Sequence, residues 1–459
     1  MNEAIRVSVV SLGCARNLVD SEVLLGHAVE EGLLIAEDPE DADVVVVNTC
    51  GFIEAAKQES IDTLLSVARL KDEGKLKGVI AVGCLAQRNG SELSEAMPEL
   101  DAVLGISDYS GVPGIVRKIV NGTTRRFTAT IDGGKPKTAR TDTNRVLLTP
   151  KSYSYLRISE GCDHTCSFCA IPSMRGRNRS KPMDVLVEET RNLAAQGVKE
   201  IVVVAEDTTA YGLDLFRKRK IAELLAQLAD VDGIEWLRLM YAYPHTVGPE
   251  LTRLMREHPR LVKYLDIPIQ HVSGPMLRAM RRGVSSEQVR GILDRLRDEV
   301  PGIAVRTTLI VGFPGETEAD FEALCRLVDE YRFERLGVFT YSPEEGTPAH
   351  DLEGAVDPEV AEQRRATLMA MQKPIVDARN ASLVGTVVPV LVDGRDPSGV
   401  GFVGRTHADA PEIDCVVALP EPKDGAELRS GDMIRARIVG VADYDLLAHV
   451  EADERSSGG

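Results

Sequence analysis

The sequence predicts an α/β protein in three parts: an open parallel sheet domain at residues 1–120, a partial (βα)6 barrel at 151–376 and a small five-stranded β-barrel at 377–450. Strand-like runs alternate with amphipathic helical patterns through the first two parts, which is typical of parallel sheets. The third part changes to short strand-like runs separated by Asp-Gly, Pro-Ser-Gly and Ser-Gly-Asp turns, which favours a small closed barrel. A polar Gly/Pro/Thr-rich stretch at 121–150 is predicted to be a linker, and 451–459 a disordered tail.

The composition is that of a folded, acidic protein. Hydrophobic residues make up 43% of the 459 residues, and 54 Lys and Arg against 71 Asp and Glu give a net charge of −17. Because affinity for a phosphate backbone comes from clustered cations, this charge disfavours nucleic-acid binding and favours a partner with a basic surface. The N-terminus enters a strand without an apolar signal core, and no apolar run reaches the roughly 18 residues of a membrane span. We therefore expect a cytoplasmic protein that does not enter a membrane.

Three strand-helix units in residues 1–120 each carry one cysteine just past the strand. The strands are predicted at 5–10, 44–47 and 79–82, and the cysteines are Cys14, Cys50 and Cys84. The carboxyl ends of parallel strands meet at one edge of a sheet, where ligands bind, so the three thiols are expected on one face. A glycine next to each cysteine lets the backbone approach a bulky group. The pattern indicates a metal site, and the alternative is three small buried residues at tight turns.

The densest cysteine cluster is a CxxxCxxC sequence formed by Cys162, Cys166 and Cys169, after a strand-like run at 155–158. Thiolates are soft ligands that select zinc, copper(I) or iron-sulfur clusters, and three of them leave one position of a tetrahedral metal or four-iron cluster open. An open position indicates chemistry at the metal. The alternatives are a structural zinc site completed by His164, for which the chain offers no second short cysteine arm, and reactive thiols without metal.

The part from 151 to 376 contains six strand-like runs, at 155–158, 200–205, 235–240, 264–267, 304–311 and 335–339. The active site of a parallel barrel is built from the loops that follow its strands. Those loops contain polar and glycine-rich segments, and His271 in one of them is a candidate proton-transfer group. A dense basic run at 174–181 is either a solvated loop or a site that meets anionic groups. Ser285 and Gln288 predict a capping box at the start of a helix.

The CxxxCxxC sequence with Phe168 before its third cysteine resembles the radical S-adenosylmethionine (SAM) enzymes. The resemblance implies that Cys162, Cys166 and Cys169 hold a 4Fe-4S cluster whose fourth iron binds SAM. It also implies SAM contacts at Phe168 and Thr308 to Gly312 beside the adenine, and at Glu206 beside the amine.

The order of the three parts resembles the radical SAM methylthiotransferases over nearly the whole chain. That family implies a second 4Fe-4S cluster on Cys14, Cys50 and Cys84, a low-potential electron donor, a sulfur donor and two SAM molecules per turnover. It acts either on a tRNA adenosine or on an aspartate of ribosomal protein S-twelve. Segments of this chain that resemble the ribosomal-protein branch lie at 11–22, 48–53, 171–176 and 264–271, although Ala15-Arg16 replaces its usual Pro-Lys and Glu206 its usual Gln.

A different class of function is an electron carrier with two clusters and no substrate. Carriers of the ferredoxin type ligate each cluster with four cysteines, whereas each set in this chain has three, which favours an enzyme. A carrier would form no 5′-deoxyadenosine from SAM.

Overall fold

The computed structural model describes residues 4–106, 109–123, 139–422 and 427–451, together with the backbone of 127–128. The chain divides into two compact units. The first unit comprises residues 1–148, 159–181 and 342–350, and the second comprises 149–158, 182–341 and 351–459. Most of the predicted tail, and residues 124–126 and 129–138 of the predicted linker, lie outside the described residues. The predicted domain limits stay predictions.

The first unit contains a six-stranded parallel sheet, in the order β2-β1-β3-β4-β5-β6. Its strands are β1 (Arg6–Ser11), β2 (Leu34–Ile35), β3 (Val44–Thr49), β4 (Gly78–Gly83), β5 (Ala102–Val103) and β6 (Phe127–Thr128). Its helices are α1 (Ala15–Glu30), α2 (Glu54–Asp72), α3 (Cys84–Ala96) and α4 (Val112–Val120). The three predicted strands are therefore confirmed, with ends that differ by one or two residues.

The central strands explain why the sheet is covered on both faces. Along β3, Val44 and Val46 belong to one buried apolar cluster, whereas Val45 and Val47 belong to another. Successive side chains of a strand point to opposite faces, so a continuous valine run requires a core on each side.

The cysteine-rich loop follows β7 (Tyr153–Arg157) and contains β8 (Ser159–Glu160), α5 (Ile171–Arg175) and β9 (Arg179–Ser180). The two short strands pair in antiparallel fashion, with Ser159 opposite Ser180 and Glu160 opposite Arg179. This pairing closes residues 161–178 into a loop.

The second unit contains the predicted parallel sheet of six strands, in the order β14-β13-β12-β11-β10-β7. The further strands are β10 (Glu200–Val204), β11 (Trp236–Leu239), β12 (Leu261–Asp266), β13 (Ala304–Val311) and β14 (Arg335–Thr340). The helices are α6 (Met183–Ala195), α7 (Leu213–Phe216), α8 (Ile221–Ala229), α9 (Pro249–Glu257), α10 (Gly274–Ala279), α11 (Ser286–Glu299), α12 (Glu318–Tyr331) and α13 (Pro358–Leu383). The capping box predicted from Ser285 and Gln288 is present at the start of α11. Among the described residues, no helix combines the length and apolar character needed to cross a bilayer.

The C-terminal strands close into the predicted five-stranded barrel, in the order β15-β16-β17-β19-β18. They are β15 (Val387–Arg395), β16 (Phe402–Arg405), β17 (Val417–Leu419), β18 (Met433–Ala442) and β19 (Asp445–Val450). The strand-like sequence at 413–419 forms a strand only from Val417, because the preceding acidic residues turn towards the parallel sheet. Asp414, for example, accepts a hydrogen bond from Tyr264 Oη at 2.7 Å.

Candidate active site

The three N-terminal cysteines lie where the sequence predicts, at the carboxyl ends of β1, β3 and β4. Cys14 is the N-cap of α1, and Cys84 is the first residue of α3. The exposed N–H groups of a helix N-terminus favour negative charge, so both positions suit a thiolate.

The glycine beside each cysteine packs against a neighbouring cysteine loop. A Cβ atom at Gly13 would lie 2.9 Å from Cys50 Sγ, and one at Gly51 would lie 2.9 Å from the backbone nitrogen of Leu85. A Cβ atom at Gly83 would lie 2.6 Å from the carbonyl oxygen of Thr49. The absence of a side chain at these glycines therefore lets the three loops touch, which is the close approach that the sequence predicted.

Two buried asparagines fix these loops. Asn17 Nδ2 donates to the carbonyl oxygens of Leu12 and Thr49, both at 3.0 Å, and Asn48 Nδ2 donates to Asn17 O at 2.8 Å. The hydroxyl of Ser60 binds both the N–H and the carbonyl of Cys50, at 2.9 and 3.0 Å. The sequence patterns do not mark these residues as part of the site. Polar residues close to the ends of buried strands were the signal that could have indicated them.

The three thiols differ in their electrostatic surroundings. Burial raises the pKa of Cys14, but the charges of Arg16 and Arg175 outweigh it and hold that pKa below its usual value. Burial raises the pKa of Cys50 to about 11, and the charges of Cys14 and Cys84 add to this rise. Burial likewise raises the pKa of Cys84. The mutual influence of the three groups is what neighbouring thiols at one edge of a sheet produce.

The CxxxCxxC loop is held by its own backbone. Cys162 N–H donates to Gly176 O at 3.0 Å, and Cys169 N–H donates to Cys166 O at 3.1 Å. In the same unit, Ala349 N–H donates to the carbonyl of Ser167 at 2.8 Å. Cys166 is buried, whereas Cys162 and Cys169 are partly exposed.

A four-iron cluster and a single metal ion place different demands on three cysteines. Among the described residues, no three His, Cys, Asp or Glu side chains lie close enough together to hold a single ion. Ligands of a four-iron cluster bind different irons and need not converge on one point, and thiolates are the ligands such clusters prefer. The cluster assignments and the zinc alternative therefore stay predictions.

Each residue predicted to contact SAM has a defined place within its own unit. Phe168 lies partly exposed within the cysteine loop of the first unit. In the second unit, Glu206 follows β10, Thr308 lies on β13 and Gly312 follows that strand. Gly312 has a φ of 74°, a conformation that favours glycine. These roles stay predictions.

Glu316 holds the Gly312 turn in place. Its Oε2 atom accepts the Gly312 N–H at 2.6 Å and an Arg364 N–H at 2.8 Å, and its Oε1 atom lies 3.2 Å from His271 Nε2. His271 Nδ1 accepts the N–H groups of Val272 and Ser273 at 2.9 and 3.0 Å. Both ring nitrogens of the fully buried His271 are thus engaged within the protein, which disfavours the proton-transfer hypothesis.

The basic run at 174–181 is neither a solvated loop nor an open anion site at its two ends. Arg175 and Lys181 are 3% and 1% exposed. Lys181 Nζ binds Asp142 at 2.7 Å, and Arg175 binds Asp20 at 2.9 Å. Their charges are matched inside the first unit, and sequence reasoning could not see partners so distant along the chain.

Comparison with known families agrees with this architecture. The Radical SAM superfamily matches residues 156–328, the uncharacterized protein family UPF0004 matches 6–105 and the TRAM domain matches 384–450. The fold and the CxxxCxxC site therefore define a radical SAM enzyme.

Curated relatives cover nearly the whole chain. Proteins named "Ribosomal protein uS12 methylthiotransferase RimO" from Acetivibrio thermocellus and Aquifex aeolicus are each 44% identical to it, over 97% and 96% of this chain and 98% and 96% of their own length. The relative of that name from Symbiobacterium thermophilum is 46% identical over 96% of this chain and 90% of its own. The chain belongs to the RimO family of radical SAM methylthiotransferases.

A solved structure shares the fold at low identity. The radical SAM methyltransferase TsrM from Kitasatospora setae superposes with a TM-score of 0.55 at 15% identity, over 82% of this chain and 90% of that one.

Proposed function

We propose that the protein inserts a methylthio group at the β-carbon of an aspartate in ribosomal protein uS12, the S-twelve protein of the small subunit, in the cytoplasm. The reaction would use a 4Fe-4S cluster and SAM at the CxxxCxxC loop, and a second 4Fe-4S cluster at Cys14, Cys50 and Cys84. The observation that carries this proposal is the packing of three cysteine loops against one another at one sheet edge, through Gly13, Gly51 and Gly83.

The chemistry explains why a radical source is required. The β-carbon of an aspartate bears C–H bonds that no side-chain base near neutral pH can deprotonate, so hydrogen abstraction replaces acid-base catalysis. A cluster held by Cys162, Cys166 and Cys169 would, together with SAM, supply the one-electron radical chemistry that this abstraction needs.

The residues of the chain hold and orient these groups. Cys162, Cys166 and Cys169 would ligate one cluster in a loop whose backbone hydrogen bonds fix the cysteine spacing. Glu316 would orient the Gly312 turn against the adenine, because its carboxylate binds the Gly312 N–H directly. The N-terminal cysteines would hold the cluster from which sulfur is delivered.

Three observations support a protein substrate over tRNA. The relatives over nearly the full length are named for uS12. The chain is acidic overall at −17, and residues 378–449 carry 7 Lys and Arg against 11 Asp and Glu, which suits a basic ribosomal protein. The ends of the basic run at 174–181, the patch most suited to tRNA by sequence, bind carboxylates within the first unit.

The cluster assignment is tested by counting iron. Anaerobically reconstituted wild type is expected to hold two clusters, and alanine at all three cysteines of either set should halve iron and sulfide. The Cys14→Ala, Cys50→Ala, Cys84→Ala protein should still form 5′-deoxyadenosine but no methylthiolated product. An unchanged iron content or normal formation of methylthiolated product in this variant would rule out the cluster at Cys14, Cys50 and Cys84.

The substrate assignment is tested by offering uS12 and tRNA to the same enzyme. Mass spectrometry should show the methylthio addition on a uS12 aspartate and none on the nucleosides of digested tRNA. Modified adenosine with unmodified uS12 would establish the tRNA alternative.

A further inference from the structure

Arg175 connects the two cysteine sets within the first unit. It ends α5, six residues after Cys169, and therefore belongs to the CxxxCxxC loop. Its Nη2 atom lies 3.4 Å from Cys84 Sγ of the other set. The same nitrogen donates to Asn17 Oδ1 at 2.8 Å and to Asp20 Oδ2 at 2.9 Å.

The guanidinium of Arg175 is anchored by a network of buried charges. Asp20 is fully buried, and its second oxygen accepts a hydrogen bond from Arg140 Nη2 at 2.7 Å. Arg140 Nη2 also binds Glu160 at 2.6 Å, and its guanidinium lies 4.8 Å from the centre of the Tyr109 ring. Two arginines thus face two carboxylates, so the charge of Arg175 is compensated and its position beside Cys84 is fixed.

A fixed hydrogen-bond donor next to a cluster ligand has a defined effect on the reduction potential, even where its charge is compensated by carboxylates. Reduction adds a negative charge to an iron-sulfur cluster, and hydrogen bonds to its sulfur atoms stabilise that charge and raise the reduction potential. A buried charge-assisted donor acts more strongly than an exposed one, because water does not screen it.

We propose that Arg175 is a positioning residue that ties the CxxxCxxC loop to the N-terminal site and raises the reduction potential of the cluster held by Cys14, Cys50 and Cys84. The inference rests on the proposed function, since it requires that second cluster. A side chain of the CxxxCxxC loop would thereby alter the reduction potential of the N-terminal cluster.

The test measures the N-terminal cluster alone in the full-length chain. In a Cys162→Ala, Cys166→Ala, Cys169→Ala background, the potential of the remaining cluster is followed by EPR during an anaerobic redox titration. Arg175→Gln should lower the reduction potential of this cluster. The reduced-to-oxidised ratio at a fixed applied potential should fall about tenfold, which corresponds to about 59 mV for a one-electron couple. The control is Arg177→Gln, an exposed arginine of the same loop, which should leave the potential unchanged.

The outcomes separate this inference from the proposed function. A background protein without any cluster would overturn the second site itself. A cluster with the same potential in the Arg175→Gln and parent proteins would overturn only the role of Arg175.

If the Arg175→Gln protein does not hold iron, the reduction potential of the Arg175→Lys protein is measured instead. This substitution keeps the charge but lacks the planar fork that reaches several acceptors together. We expect full iron content with a smaller drop in potential, and an unchanged potential would refute the inference.

Discussion

The two ends of the parallel sheet in the second unit differ in what covers them and in their backbone conformations. Near the amino ends of the strands, the side chains meet the segment 405–414 of the C-terminal barrel, which we call the plug segment, in buried hydrogen bonds and ion pairs. Beyond the carboxyl ends, the loops carry polar residues that are mostly buried, and two of their residues have unusual backbone conformations. The comparison separates a region that stabilises the fold from one that is available for chemistry.

The plug segment makes a polar contact with every strand of the sheet. The pairs, in the order of the strands, are Tyr153–Glu412, Glu200–Arg405, Arg238–His407 O, Tyr264–Asp414, Arg306–Asp414 and Arg335–Asp409. Glu200 is fully buried between Arg238 Nε at 2.6 Å and Arg405 Nη1 at 2.7 Å. This end of the sheet is therefore covered by the plug segment through ion pairs and hydrogen bonds.

The carboxyl end holds backbone strain in addition to the buried ion pair of Glu316 with Arg364. Tyr241 and Gln270, which follow β11 and β12, have φ values of 57° and 73° although neither is glycine. Such conformations cost on the order of 1–3 kcal/mol each and cluster at functional sites. Gln270 Oε1 is buried and has no hydrogen-bond partner among the described residues. We did not predict either residue as a site residue, because backbone strain is not visible in a sequence.

The largest expected effect is a loss of stability at the end of the sheet that contacts the plug segment. Glu200→Gln should lower the free energy of unfolding by about 3–5 kcal/mol, because it removes the carboxylate that buried Arg238 binds. It also removes one of the two carboxylates that bind Arg405, which keeps Asp393. Urea denaturation under anaerobic conditions measures the change. The matched control is Glu235→Gln, an exposed glutamate one residue before β11, which should change the free energy by less than about 0.5 kcal/mol. Equal effects in the two variants would contradict the role of the ion pairs.

The same carboxylate predicts a pH dependence. Burial raises the pKa of Glu200, but Arg238 and Arg405 outweigh it and hold that pKa below its usual value. An unfolded glutamate has a pKa near 4.3, so the stabilisation is complete above about pH 4.3 and is lost as the pH falls through the folded value. The stability difference between wild type and Glu200→Gln should be constant from about pH 6 to 8 and shrink below about 4.3. Urea midpoints across this range measure it, and a difference that grows on acidification would be inconsistent with this sign.

An intermediate effect is expected at the carboxyl end. Glu316→Gln removes the charge that holds the Gly312 N–H, so the KM for SAM in 5′-deoxyadenosine formation should rise about tenfold, the equivalent of one charge-assisted hydrogen bond. Glu318→Gln is the control, because this exposed glutamate binds the same Arg364 at 3.2 Å but does not contact Gly312. Equal KM values in the two variants would remove Glu316 from SAM positioning.

The smallest expected effect concerns a basic run at 217–220 between β10 and β11, of which Arg217, Lys218 and Arg219 are exposed. Replacing Arg217, Lys218 and Arg219 by glutamine should raise kcat/KM for the basic uS12 up to about threefold at low salt, because like-charge repulsion is removed, with little change at high salt. A loss of activity at low salt would instead indicate an anionic partner at this surface.

The local motifs could be interpreted without a structure because their information lies in neighbouring residues. The CxxxCxxC spacing, the Ser285 capping box and the valine run at 44–47 each depend on a few positions, so the sequence alone determined the α/β class, the five C-terminal strands and both cysteine sets. Those patterns follow from short-range chemistry and periodicity.

Only the tertiary structure decided which charged groups are matched. Arg175 and Lys181 belong to a run that resembles a surface patch, yet their partners Asp20 and Asp142 lie 155 and 39 positions away in the sequence. His271 resembled a catalytic group until both ring nitrogens were found engaged. Burial and pairing of charges arise from contacts between distant segments, and no local pattern encodes them. For this reason the sequence located the cysteines, whereas the fold determined which side chains surround them.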